Sequence, residues 1–274
     1  MIEIRDLIFH YRKSRTVFYD LSLDIGTGIY GLLGENGVGK TTLLHIISGL
    51  RFPKSGSCKV LGYDSFRRNP QMLSQLFFLP EEFDTPDVSI DNYAKLHAAF
   101  YPNFDDVQFN YNLKELKVDK DKKMNEQSLG QRKKAMIAFA LALNTPILLL
   151  DEPTNGLDIP SKSQFRKLLA SVYDHTKCII ISSHQVRDLE NLIDPIIILD
   201  RNDIILNHSL QEISEKLLFT YTTSKPDESL YCEQALQGYS SVQINEDGKE
   251  SIVNIESLFS AAVNNKVKIK NLFK

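Results

Sequence analysis

Ile29-Tyr30-Gly31-Leu32-Leu33-Gly34-Glu35-Asn36-Gly37-Val38-Gly39-Lys40-Thr41-Thr42 is the stretch on which the fold turns. Ile29 to Leu33 reads as a buried strand. Thr41 to Gly49 carries Leu43, Leu44, Ile46 and Ile47 at helical spacing, with Gly49 where a helix would stop. Between strand and helix lies a complete GxxxxGK[ST] loop, in the setting that motif requires. Gly34, Gly37 and Gly39 let the backbone turn its N–H groups around a β-phosphate, Asn36 sits within the loop, and the helix N-terminus adds positive potential. This predicts Lys40 at the β/γ oxygens, the Thr41 hydroxyl on Mg²⁺, and Thr42 as a further phosphate donor.

Outward from that loop the pattern alternates. Leu76–Leu79 reads as an apolar strand closed by Pro80, and Ser89 to about Leu116 turns helical with a corner near Pro102–Asp105. Ser128 opens a helix running to Leu143, with Arg132, Lys133 and Lys134 as its basic face. Ile147–Leu150 is a purely apolar strand, the kind that is buried on both sides. A helix from about Ser161 to Tyr173 follows, then a strand at Cys178–Ile181, a helix from about Gln185 to Leu192, and a strand at Ile196–Leu199. Strands alternating with helices predict an α/β fold with a mostly parallel sheet.

Asp151-Glu152 closes the strand Ile147–Leu150, on the side of a parallel sheet where ligands bind. In a chain with a phosphate loop, Asp151 is placed for the Mg²⁺ shell and Glu152 for the attacking water.

These residues and their flanks resemble the ATP-binding cassette, the nucleotide-binding subunit of ABC transporters, over about residues 1–215. Asp151-Glu152-Pro153-Thr154-Asn155-Gly156-Leu157-Asp158 is similar to that family's extended Walker B and D-loop. Gln127-Ser128-Leu129-Gly130-Gln131 is similar to its signature, and Ser182-Ser183-His184 to its switch-histidine segment. Tyr11 stands where the family has an aromatic that stacks on adenine. The resemblance implies a P-loop NTPase of the ABC ATPase type: a mostly parallel core sheet, an antiparallel β subdomain, and a helical subdomain at about 85–145. It implies ATP and Mg²⁺ as cofactors, and ATP hydrolysis with Glu152, His184 and Lys40 as the catalytic set. It implies metal contacts from Thr41, Asp151 and Glu81, the last in place of the usual glutamine, with Glu82 as the alternative. Two such subunits sandwich ATP head to tail, so that Ser128, Gly130, Gln131 and Asp158 serve the partner's nucleotide.

Three departures from the family pattern stand out. Gln127 and Leu129 replace Leu and Gly in many signatures. Glu81 adds negative charge near the phosphates. Arg12, Lys13 and Arg15 after Tyr11 either help hold phosphate or ribose or form a solvated basic turn.

By resemblance the chain powers a permease on a separate chain, of exporter type, as a homodimer or as a heterodimer with a second cassette, peripherally at the cytoplasmic face of the membrane. The alternatives are a soluble ABC-family ATPase acting on nucleic acid or ribosomes, and a non-transport regulatory cassette. Composition bears on these. The 32 Lys+Arg against 35 Asp+Glu give a net charge of -3, which speaks against a broadly nucleic-acid-coating surface. Three cysteines without a CxxC exclude a disulfide scaffold or a zinc knuckle. The start does not read as a signal peptide, and the longest apolar run, Ala135 to Leu143, is too short to span a bilayer. Phe83, Tyr93, Phe100, Tyr101, Phe104, Phe109 and Tyr111 build the helical subdomain, a minority of them lining a partner groove.

After Leu217 the texture changes. Phe219–Thr222, Val242–Ile244 and Ile252–Ile255 alternate as half-exposed strands, Asn245–Gly248 reads as the hairpin turn, and Ile255–Val263 as a short helix. Residues 218–274 are expected to form a small α+β annex docked on the ATPase domain at 1–217.

Overall fold

Four strands whose side chains are buried end to end make the centre of the molecule, seen in a computed structural model that describes residues 1–12, 15–184, 189, 191–226 and 228–274. In chain order the first elements are β1 (Ile2–Arg12), β2 (Arg15–Ile25), β3 (Gly28–Leu33), α1 (Lys40–Ile47), β4 (Ser55–Val60) and β5 (Tyr63–Asp64). Next come α2 (Pro70–Leu73), β6 (Leu76–Leu79), α3 (Ile90–His97), α4 (Asp106–Glu115), α5 (Leu129–Ala142) and β7 (Ile147–Asp151). They are followed by α6 (Ile159–Val172), β8 (Cys178–Ser183), β9 (Ile196–Asp200), β10 (Asp203–His208) and α7 (Leu210–Lys216). The chain closes with β11 (Leu217–Thr222), β12 (Tyr231–Ala235), β13 (Gly238–Ile244), α8 (Ile255–Asn264) and α9 (Lys266–Leu272).

The central sheet has the order β10-β9-β3-β8-β7-β6, parallel except for its edge strand β10. Register puts Leu33 beside Ser183 and Asp151 beside Ser182. The phosphate loop, the acid pair and the histidine segment therefore leave the sheet along one edge, as parallel strands require. A second, antiparallel sheet, β2-β1-β4-β5, packs with α1 on one side. There Ile4, Phe18, Leu32, Leu44 and Ile180 share a core.

On the other side α3, α4 and α5 gather around Phe139. The rings of Phe77 and Tyr93 lie 5.8 and 5.4 Å from it, both edge-on, and Phe109 lies 6.2 Å away. Each such pair contributes about 0.5–1.5 kcal/mol beyond area burial. Of the aromatic residues predicted for this region, Phe109 is fully buried, while Phe100 and Tyr111 are exposed.

The C-terminal segment departs from its predicted hairpin. Its sheet is β11-β13-β12, and the turn falls at Leu236-Gln237, with Ala235 opposite Gly238. The Asn245 side chain closes the 245–249 turn on itself, donating to Lys249 O at 2.8 Å and accepting from Lys249 N at 2.9 Å. Ile252–Asn254 then runs as a loop into α8, capped by Asn254. A Cβ on Gly238 would meet Thr222 O at 2.3 Å, so the start of β13 can lie this close to β11 only as glycine. Leu217, Val242, Leu258 and Ile269 join one core cluster with Ile198, Ile205 and Leu206. The helix expected from about Gln185 to Leu192 falls largely outside the described residues, as does Lys13.

Candidate functional site

The phosphate loop is tightly built. A Cβ on Gly34 would meet Leu199 O at 2.6 Å, and Gly39, at φ 117°, would drive one into Val17 and Phe18 at 2.8 and 2.9 Å. Only glycine can hold those positions and still aim the intervening N–H groups inward. Lys40 opens α1 and is buried. Its Nζ donates to Gly34 O at 2.7 Å and to Glu35 O at 3.3 Å, and lies 3.9 Å from Glu152 Oε1. Burial pulls its pKa below the usual lysine range, opposed by the charges of Glu152, Asp151 and Glu81.

Asp151 and Thr41 meet although 110 residues separate them: Thr41 Oγ1 donates to Asp151 Oδ2 at 2.7 Å. Ser182 Oγ donates to the other Asp151 oxygen at 2.5 Å. Glu152 follows with its backbone at φ 46°. Its N–H donates to Ser182 Oγ at 3.0 Å, and its carbonyl accepts from Lys133 Nζ at 2.8 Å. Its Oε1 lies 2.9 Å from His184 Nδ1, while its Oε2 is buried with no hydrogen-bond partner. Burial raises the Glu152 pKa above its ordinary value, with His184 and Lys40 opposing.

A cavity of about 310 Å³ gathers Tyr11, Asn36, Gly37, Gly39, Lys40, Thr41, Thr42, Glu81 and Glu152. Tyr11 and Thr42 share a hydrogen bond at 2.8 Å, and the Arg51 guanidinium stands 5.4 Å over the Tyr11 ring. Glu81 accepts from Asn155 Nδ2 at 2.8 Å. Glu82 lines only the neighbouring cavity, so Glu81 is the acid that faces the phosphate loop.

Seven of the expected site residues lie outside that lining: Gly34, Asp151 and His184, which bond to residues of it, and Ser128, Gly130, Gln131 and Asp158. Ser128 caps α5, accepting from Gln131 N at 3.3 Å, and Asp158 caps α6, accepting from Ser161 N at 3.0 Å. Gly130 leaves just enough space that a Cβ would stand 3.3 Å from Gly156 O. Of the signature departures, Leu129 is exposed. Gln127 is buried, donating to Asp119 O at 3.2 Å and Lys122 O at 3.0 Å, so it braces the loop before α5 where an apolar residue would only fill space.

The expected basic face of α5 needs correction. Lys133 is only 3% exposed. It shares a helical stripe with buried Met136, Ile137 and Ala140, a spacing that marks the core-facing side of α5. Arg51 carried no such signal, since its place over Tyr11 depends on how two distant segments pack.

The family described as ABC transporter matches residues 18–155. Over 221 residues the chain is 29% identical to the ABC transporter ATP-binding protein YtrB of Bacillus subtilis, covering 80% of this chain and 75% of that one. It is 30% identical over 213 residues to the lantibiotic transport ATP-binding protein SrtF of Streptococcus pyogenes, covering 75% of this chain and 90% of that one. Among solved structures it is similar in fold to an ATP-binding cassette seen as a dimer in a post-hydrolysis state with ADP and Pi. The TM-score is 0.66 at 21% identity, covering 77% of this chain and 99% of the other.

Proposed function

We propose that this chain, which belongs to the ABC transporter family and is an ATP-hydrolysing member of it, powers a separate membrane permease through ATP-dependent pairing of two cassettes. The observation that carries the reading is the single constellation formed by Lys40, Thr41, Asp151, Glu152 and His184 at one edge of the sheet. Lys40 and the loop N–H groups take the β- and γ-phosphates, Thr42 donates to phosphate, and Tyr11 presents its ring to the adenine. Glu152 accepts a proton from the attacking water, and His184 ties Glu152 to the γ-phosphate.

The oxygen donors Thr41, Asp151 and Glu81 suit Mg²⁺, which prefers few protein ligands and completes its shell with phosphate and water. Among the described residues no cluster of three or more His, Cys, Asp or Glu could hold a metal alone, which agrees with a site completed by nucleotide. Mg²⁺ supplies charge neutralisation of the phosphates when bound.

Ser128, Gly130, Gln131 and Asp158 serve the nucleotide of a second cassette, as a homodimer or heterodimer. That Ser128 and Asp158 are exposed and stand outside their own chain's cavity supports this reading. An apolar groove of about 450 Å³, lined by Leu50, Leu73, Phe78, Phe100 and Tyr101 among others, fits a short amphipathic helix from the permease. Among the described residues no helix is long and apolar enough to cross a membrane. Attachment is then peripheral, through that groove, at the cytoplasmic face. The likeness to a lantibiotic transport protein favours an exporter-type permease, and no nucleic-acid partner is proposed.

The test is Glu152→Gln. Hydrolysis should fall about 100-fold or more while ATP binding persists, and gel filtration with ATP should show a dimer. A Glu152→Gln protein turning over ATP at the parent rate would remove Glu152 from the role assigned to it.

A further inference from the structure

Glu152 occupies a backbone conformation that needs support. At φ 46° it lies in the left-handed region, where a side chain with a Cβ persists only when neighbouring contacts over-determine it. Contacts on both sides do so. On one side its N–H is held by Ser182, at 3.0 Å to Oγ and 3.3 Å to O. On the other its carbonyl accepts from Lys133 Nζ at 2.8 Å and, across the turn, from Asn155 N at the longer distance of 3.2 Å.

Lys133 is an unusual residue to find there. It is 3% exposed, on a helix side otherwise made of Met136, Ile137 and Ala140. Lysine is almost never fully buried unless its ammonium has a strong partner, and an apolar residue of similar volume would fill the position at far lower desolvation cost. Glu81, Glu82, Asp151 and Glu152 all act on it electrostatically, yet the hydrogen bond goes to a backbone carbonyl. The ammonium is therefore placed on the main chain of the turn that carries Glu152, rather than on a carboxylate.

We propose that Lys133 is a positioning residue for ATP hydrolysis. Its ammonium clamps the Glu152 carbonyl, so that the left-handed turn after β7 directs the Glu152 carboxylate toward His184 and the phosphate-loop cavity. This rests on Glu152 being the residue that activates water. It adds a mechanical link, because Lys133 belongs to the same helix that Ser128 caps. Movement of α5 is transmitted through one hydrogen bond to the carboxylate at the reaction centre, and misplacing a reacting group by about 1 Å costs up to about 100-fold in rate.

Steady-state ATPase kinetics, nucleotide titration and thermal melting of Lys133→Met, Lys133→Gln and Lys133→Arg, run beside Glu152→Gln, test this. Lys133→Met should lower kcat by about 10- to 100-fold with KM for ATP within about 2-fold of the parent. Lys133→Arg, which keeps a cationic donor, should recover most of the loss. In the Glu152→Gln background Lys133→Met should lower the residual rate no further. A purely structural lysine would instead shift melting, kcat and KM together, and its effect would add to that of Glu152→Gln. If Lys133→Met fails to fold, Lys133→Gln, whose neutral amide ends one bond short of the ammonium and so falls short of the Glu152 carbonyl, carries the same comparison. A folded Lys133→Met or Lys133→Gln with parental kcat, beside an inactive Glu152→Gln, overturns the clamp and leaves the role of Glu152 standing. Parental turnover by Glu152→Gln overturns that role first, and the clamp with it.

Discussion

Two neighbouring carboxylates, Asp151 and Glu152, end the same strand with opposite surroundings. Both Asp151 oxygens accept hydrogen bonds, from Thr41 and Ser182. Glu152 has His184 on one oxygen and no partner on the other. Burial without full hydrogen bonding penalises the ionised form, which is why the Glu152 pKa lies above its ordinary value of 4.5. The sign of the consequence follows from linkage. When the folded pKa exceeds the unfolded one, the folded state binds the proton more tightly, so stability falls as pH rises between the two values. Above the folded pKa the whole penalty is present; below the ordinary glutamate range it is absent. Glu152→Gln, which cannot ionise, should therefore melt at higher temperature than the parent at neutral pH without nucleotide. The gap should close as pH drops below the usual glutamate range. A parent that melts higher than Glu152→Gln at neutral pH would mean that the attraction of Lys40 and His184 outweighs burial.

At the scale of elements, legibility in the sequence tracks how local the cause is. The phosphate loop and α1 were readable because glycines, strand and helix lie within a few residues of one another. So was the Ser128 cap, whose hydrogen bond spans three residues. Lys133 was read as part of a basic face because its burial comes from tertiary packing, although its helical spacing with Ile137 and Ala140 held the clue. The hairpin at 245–248 was misplaced for the reverse reason: the Asn-Glu-Asp-Gly run has turn chemistry, but Asn245 spends it on closing a loop. β4, β5 and β10 went unread because their side chains are only partly covered and show no clean alternation. The groove between α2, β6 and the end of α3 combines both kinds of cause. Its aromatics were visible in sequence, and which of them face outward was not. Phe100 is 70% exposed and lines the groove, so Phe100→Asp should leave folding within about 0.5 kcal/mol of the parent, as surface changes usually do. ATPase activity of the isolated cassette should be unchanged. Co-purification with the permease proposed as its partner should be lost. Undiminished co-purification of Phe100→Asp would take the groove out of the docking reading.

For the whole molecule, the open question is what the C-terminal segment does for the site. It is held by more than apolar contact. Lys266 forms an ion pair with Asp200, Lys270 Nζ lies 2.6 Å from Asp203 Oδ2, and Lys216 donates to Leu272 O at 2.6 Å. Asp200 ends β9 and is 4% exposed. Its predecessor Leu199 presents the carbonyl against which Gly34 of the phosphate loop packs. Phe259 of α8 lines a small cavity together with Gly34, Asn36, Ser183 and His184. The segment thus reaches the phosphate loop by two routes, through β9 and through Phe259. Lys266→Ala tests the first route. It leaves a buried carboxylate without its cation, which costs about 1–3 kcal/mol. The melting temperature should fall by about 2–8 °C. Asp200→Asn combined with Lys266→Ala should recover part of that loss, because the stranded charge is gone. Hydrolysis should weaken in Lys266→Ala and return in the double variant, since the phosphate loop rests on the strand that Asp200 terminates. A Lys266→Ala protein with the parental melting point and rate would show that the apolar core alone seats the segment, and that β9 carries nothing from it to the nucleotide.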